Sequence, residues 1–169
     1  MTMKSCSAAA LAAALAACAG GESKPEAAPP PPPARDWVAE IRAQAASLDN
    51  ALVVEPLPDP AVDDLKRLAQ SAEAAGDFAT ARAEHERALA LRPEDPVAWQ
   101  ALAELSLRAG QWKVAASEAQ RSHDLGPRNG PLCLRNWLTI RAARIEIGDT
   151  YNVPSAEAQA AACAVKPLI

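Results

Sequence analysis

Three consecutive residues, Ser122-His123-Asp124, carry the side chains of a nucleophilic relay, and His85, His123, Cys133 and Cys163 together supply the donor atoms of a zinc site. Neither grouping has the spacing its chemistry needs. Consecutive helical residues project in different directions, so a Ser-His-Asp run on a helix cannot relay a proton. The His and Cys positions lie 38, 10 and 30 residues apart, which fits no zinc-ligand pattern. No glycine-rich phosphate loop is present. The acidic pairs Asp63-Asp64 and Glu94-Asp95 fall at the starts of helical patterns, where carboxylates complement the helix dipole. The expectation is a protein that is not an enzyme, without cofactor, metal or small-molecule substrate. Its net charge of −4 gives no electrostatic case for nucleic acid.

What has to be positioned is therefore a surface, and the sequence shows how. Leu65, Leu68, Ala69, Gly76, Phe78, Ala81, Leu91 and Pro93 return as Trp99, Leu102, Ala103, Gly110, Trp112, Ala115, Leu125 and Pro127, a constant offset of 34 residues. A repeat of that length cannot bury its apolar face alone and must stack on its neighbours. Asp59-Pro60 and Asp95-Pro96 each place a capping carboxylate before a proline at the first helical position. Gly76-Asp77 breaks the first unit into two helices, over about 60–75 and 78–91. The second unit gives helices over about 96–109 and 112–125, with Gly126 as a left-handed cap and Pro127 blocking continuation.

The flanks follow the same logic. Trp37, Ile41, Ala45 and Leu48 keep helical spacing, which predicts an amphipathic helix over about 36–48. Its simplest role is to cover the open end of the first repeat; the alternative is to occupy the groove of the array. Ala51–Pro58 reads as an extended segment whose Val53, Val54 and Leu57 pin it to the core. Beyond Gly130-Pro131, Leu132, Cys133, Trp137, Ile140 and Ile145 mark a further helix, and Pro154 starts a closing one. If 131–147 and 154–165 form an antiparallel hairpin, Cys133 and Cys163 meet at its open end. A disulfide there would close a loop of about 30 residues and stabilise the fold by about 3–4 kcal/mol. The alternative is two buried free thiols.

Over residues 60–127 the sequence resembles the tetratricopeptide repeat family. The motif W-x2-L-[GA] stands as Trp99-x2-Leu102-Ala103, and the later A…P as Ala115 and Pro127. His85 and Ala119 replace the usual aromatic, Ala72 and Ser106 the usual tyrosine, and Trp137 falls where a small residue is expected. The resemblance implies an all-α array of helical hairpins, small where paired helices touch (Ala69, Ala81, Ala103, Ala115) and large where units stack (Leu68, Phe78, Leu102, Trp112). It ends in a divergent C-terminal hairpin over 128–169. It also implies a concave groove lined by the first helix of each unit. The positions are Asp63, Lys66, Gln70 and Glu73, then Val97, Gln100, Glu104 and Leu107, with Leu134, Leu138 and Arg141 in the divergent unit. The partner-binding set is Lys66, Gln70, Glu73, Gln100, Glu104 and Leu107, and Gln100→Ala with Glu104→Ala would weaken capture of a protein or peptide partner without unfolding.

The N-terminus combines Lys4 with the Ala/Leu run Ala8–Ala17, too short to span a bilayer. Leu15-Ala16-Ala17-Cys18 resembles the lipobox of bacterial lipoproteins. That resemblance implies a signal peptide over 1–17 and a lipidated Cys18 that attaches the chain to a membrane. No Asp follows Cys18, which favours the outer membrane, facing the periplasm. Residues 18–34, with Pro29–Pro33, read as a disordered tether, and 35–58 hold the helix and extended segment before the two repeats of 59–127. Similar lipoproteins serve in pilus, outer-membrane protein and cell-wall assembly. The resulting expectation is a lipid-anchored scaffold that captures a protein partner. The alternative is a permanent subunit of a larger complex, signalled by an exposed apolar patch around Trp37, Leu107 or Trp137.

Overall fold

The computed structural model describes residues 35–48 and 59–164, all within the compact unit Ala34–Ile169. Among these residues there are seven helices: α1 (Trp37–Ala46), α2 (Pro60–Ala74), α3 (Phe78–Leu91), α4 (Pro96–Arg108), α5 (Trp112–Leu125), α6 (Gly130–Glu146) and α7 (Val153–Ala162). The helix bounds follow the sequence signals. Asp59 Oδ1 accepts from the backbone N–H of Ala61 at 3.1 Å, and Asp95 Oδ1 from Val97 and Ala98 at 2.9 and 3.1 Å, which satisfies amides left over at each helix start. Gly76 and Gly110 turn the chain inside the two repeats at φ 78° and 71°, a conformation that costs a residue with a Cβ. Gly126 departs from expectation. Its φ of −97° is not left-handed. Glycine is required there because a Cβ would sit 2.9 Å from the Ser122 carbonyl oxygen and 3.2 Å from Pro96 Cβ.

Successive helices pack in pairs, α2 on α3, α4 on α5 and α6 on α7, with α3 against α4 and α5 against α6. Ala69, Ala81, Ala103 and Ala115 are fully buried at these contacts, and each lets two helix backbones approach closely. The substitutions that depart from the family pattern compensate one another. Ala119 leaves room where an aromatic is usual, and Trp137 packs against the cluster of Ala103, Ala119, Ile140 and Ala156. Ser106, in place of tyrosine, leaves space for the Arg82 guanidinium, whose Nη2 donates to Ser106 Oγ at 2.5 Å.

Two expectations about packing need correction. Leu102 and Trp112 pack in the core, but Leu68 and Phe78 remain 49% and 39% exposed. Phe78 lies under the Arg108 guanidinium, 4.9 Å from its ring centroid, and among the described residues no helix covers Leu68. The helix expected to do so lies elsewhere. α1 packs on α6 and α4, burying Trp37, Val38, Ile41 and Ala45, with Leu107, Leu138, Ala142 and Ala143 in the same cluster. Residues 1–34, 49–58 and 165–169 lie outside the described residues. With them lie the lipobox Cys18, the tether and the segment carrying Val53, Val54 and Leu57.

Candidate functional site: a groove half filled by its own helix

The residues expected on the concave face fall into two groups. Along α4 and α6 most are covered, although Val97 at the start of α4 stays 44% exposed. Asp36 at the start of α1 lies 3.7 Å from Arg108, and Arg42, further along, 2.7 Å from Glu104, so α1 runs antiparallel to α4. Trp37 Nε1 donates to Glu146 Oε1 at 2.7 Å and ties the same end of α1 to the end of α6. Leu107 and Leu138 meet the apolar face of α1, and Gln100, Glu104 and Leu107 are at most 1% exposed. With α1 in place, none of these three touches solvent or a partner.

Glu104 organises this half of the groove. Its carboxylate accepts from Arg42 Nε at 2.7 Å, Arg135 Nε at 2.7 Å and Gln100 Nε2 at 3.0 Å. Gln100 Nε2 also donates to Thr139 Oγ1 at 2.9 Å. One carboxylate thus joins α1, α4 and α6. Burial by itself would push the Glu104 carboxyl up. Arg135, then Arg42 and Gln100, outweigh that and hold it below the ordinary carboxylate value. Arg42 answers in kind: burial opposes its charge, and Glu104 with Glu73 raises its pKa regardless.

Along α2 no described residue covers the groove. Between α1 and α2 runs a trough that includes a cavity of about 380 Å³, and Lys66, Gln70 and Glu73 line it from α2. Arg42 forms the opposite wall and reaches across to Glu73 at 2.8 Å. Val97 and Ala101 of α4 and Arg135 of α6 complete the cavity, and the trough continues towards Phe78 and Arg108. Asp63 does not line it; Leu134 packs on the core beside α1, and Arg141 is spent on Glu157 at 2.7 Å. Three of the expected partner-binding residues are therefore accessible together and three are buried together.

Arg42, His85 and Arg135 are among the contributors to the trough that were not anticipated. Arg42 belongs to α1, whose place was not fixed by its periodicity. His85 lies in the cavity wall at 4% exposure, and its buried Nδ1 has no hydrogen-bond partner among the described residues. Its position in the repeat, where it replaces the usual aromatic, was the available signal. Burial depresses its pKa, Glu73 and Asp95 oppose that, and Lys66 and Arg42 reinforce it. The imidazole is thus kept neutral in the fold below the ordinary 6.5. The unfolded chain then takes up a proton that the folded chain refuses, so stability present above 6.5 is lost as pH falls towards the lowered folded value. His85→Phe should flatten the decline of the thermal midpoint between about pH 7.5 and about pH 5.5. A smaller slope should remain from His123, which burial also depresses. An unchanged slope would remove this role from His85.

The relay suggested by Ser122-His123-Asp124 does not assemble. Ser122 Oγ donates to the Pro96 carbonyl at 2.7 Å, His123 packs edge-on to Trp137, and Asp124 accepts from Gln120. Cys133 and Cys163 form a disulfide with a Cα–Cα separation of 5.6 Å, joining the start of α6 to the end of α7.

The paired helices, the small residues between them and the grooved face define an all-α array of tetratricopeptide type, and residues 62–105 match the tetratricopeptide repeat family model. Among solved structures, the globular C-terminal domain of P. aeruginosa LpoP is similar, with a TM-score of 0.57 and 28% identity over 62% of this chain and 98% of that one. No curated protein matches the sequence.

Proposed function

We propose that this chain is a lipid-anchored scaffold of the bacterial envelope that holds a segment of a protein partner in the trough between α1 and α2. In this reading it works in the assembly of an envelope complex, on the periplasmic face of the outer membrane. The observation that carries it is the trough itself, where Lys66, Gln70 and Glu73 stand in a row on α2 opposite Arg42. Tetratricopeptide arrays use such concave faces for protein contacts, and the likeness to the LpoP domain supports the fold on which this reading rests. The patch that would favour a permanent structural subunit is not exposed at Trp37 or Leu107, both of which are buried.

Two experiments test the parts separately. A photo-crosslinking residue at position 70 should capture a partner in cells, whereas one at the solvent-facing position 64 should not; equal capture at both would move the site off the trough. Cys18→Ser should transfer the protein from the membrane to the soluble fraction. Membrane association that survived the substitution would end the lipid-anchor reading.

A further inference from the structure

We infer that one edge of the array, the edge formed by the turns inside its helix pairs, rests on the surface of the lipid bilayer. This rests on the lipid-anchor part of the function proposed above.

The turns α2–α3, α4–α5 and α6–α7 share an edge because each pair is a hairpin stacked on the next. Side chains tie that edge together. Arg108 at the end of α4 lies over the Phe78 ring at the start of α3 and 3.7 Å from Asp36, which caps α1. Trp37 reaches Glu146 at the end of α6. Arg144 Nη1 donates to the Asn152 carbonyl oxygen at 2.7 Å and closes the last turn. Among the described residues, seven large apolar side chains are exposed, and four of them stand at this edge: Phe78, Val114, Ile147 and Tyr151. Leu91 and Val97 stand at the opposite edge, and Leu68 lies midway along α2. Tyr151 is 90% exposed. It and Phe78 are the only tyrosine and phenylalanine of the chain.

The row has at least one apolar side chain at every turn. A protein pocket takes one such side chain, whereas a plane meets all of them at once. Aromatic rings with one wet end are at home where headgroups meet acyl chains.

The point of attachment says which plane this is. Arg35 precedes α1 at this same edge, where it lines one cavity with Trp37, Arg108 and Trp112. Sixteen residues, 19–34, separate it from Cys18, so a lipid on Cys18 keeps this edge within about 60 Å of the bilayer. Such confinement raises the effective concentration, and contacts too weak to hold a free protein then suffice.

Charge does not drive the contact. Arg35 is paired with Glu40 and Arg108 with Asp36, and Lys113 and Arg144 stand against Asp77, Glu146 and Asp149. With no positive excess at the edge, burial of the apolar row carries the contact, and anionic lipid is not required. This orientation also brings the Phe78–Arg108 end of the trough to the bilayer.

The test uses the lipidated protein, extracted from membranes and reconstituted into vesicles of phosphatidylethanolamine and phosphatidylglycerol. An environment-sensitive fluorophore is attached at Thr150→Cys, beside Tyr151, or at Glu94→Cys on the opposite edge. Cys133 and Cys163 are bonded to each other, which leaves the introduced thiol to react. Lipid carrying a doxyl group near the headgroup should quench the label at 150 and leave the label at 94 unquenched. Ile147→Ser with Tyr151→Ser should lower the quenching at 150 to the level at 94; both side chains are exposed, and circular dichroism would establish that the variant is folded. Replacing phosphatidylglycerol by phosphatidylcholine should change nothing, and loss of quenching on that exchange would overturn the apolar contact. Equal quenching at the two positions, or quenching that survives the double substitution, would overturn the inference while the anchor stands. Crosslinks in cells from position 150 to a protein, without quenching in vesicles, would assign the edge to a protein partner instead. Protein that fails to float with the vesicles would remove the lipid anchor itself, and the inference with it.

Discussion

Glu104→Ala is expected to destabilise the fold by about 3 kcal/mol, or about 10 °C in thermal midpoint for a domain of this size. The carboxylate is 1% exposed and receives Arg42, Arg135 and Gln100. Its removal leaves two guanidinium groups facing each other without their shared counterion. Their side chains are 41% and 25% exposed, so water recovers part of the loss, which places the effect at the lower end for a broken buried ion pair. Urea unfolding followed by circular dichroism would measure it, and a loss below about 0.5 kcal/mol would refute the central role given to this carboxylate. Because the folded-state pKa of Glu104 is lowered, its contribution is present above the ordinary value of 4.5 and is lost as pH falls through the lower one. Gln100→Ala with Glu104→Ala, which the sequence offered as a probe of the groove, would therefore report unfolding rather than loss of contact. Lys66, Gln70 and Glu73 are the appropriate positions.

Removing the disulfide should have an effect of similar size confined to one end of the array. The Cys133–Cys163 bridge closes a 30-residue separation, and loop-closure entropy assigns it about 3–4 kcal/mol. α7 packs chiefly on α6, so its attachment depends mainly on that neighbour and the bridge. Cys163→Ser, or reduction by dithiothreitol, should lower the urea midpoint and speed amide exchange in α7 and the start of α6. Exchange in α2 and α3 should be unaffected below the global transition. Uniform acceleration in all helices would mean that the array unfolds as one unit and would contradict the local role.

Much of this architecture is legible in the sequence because it depends on local chemistry. Asp-Pro pairs set two helix starts, Gly76 and Gly110 set two turns, and the 34-residue offset aligns Ala69 with Ala103 and Ala81 with Ala115 where helices touch. The approach of Cys133 to Cys163 follows from the lengths of two helices and one turn. Gly126 is the exception: its need for glycine comes from the close approach of Ser122 and Pro96, a tertiary contact that resembles a cap in the sequence.

The place of α1 was not legible in the same way. A stripe of Trp37, Ile41 and Ala45 states that one face must be buried, without naming the surface that buries it. Both the open end of the first repeat and the groove offered apolar cover. The groove positions themselves did not choose between them, since the α4–α6 side combines Leu107, Leu134 and Leu138 with the polar Gln100 and Glu104.

By itself, the sequence determined that this chain forms paired helices, where each begins and turns, and that the pairs stack, because capping, chain reversal and periodicity act over a few residues. Only the tertiary structure decided which half of the groove is filled. A buried Glu104 needs cations, and Arg42 and Arg135 reach it from helices distant in sequence only when α1 lies along α4 and α6. Among the described residues the same placement leaves the trough along α2 uncovered, bounded by charges from α1, α2 and α6 that no local pattern brings together.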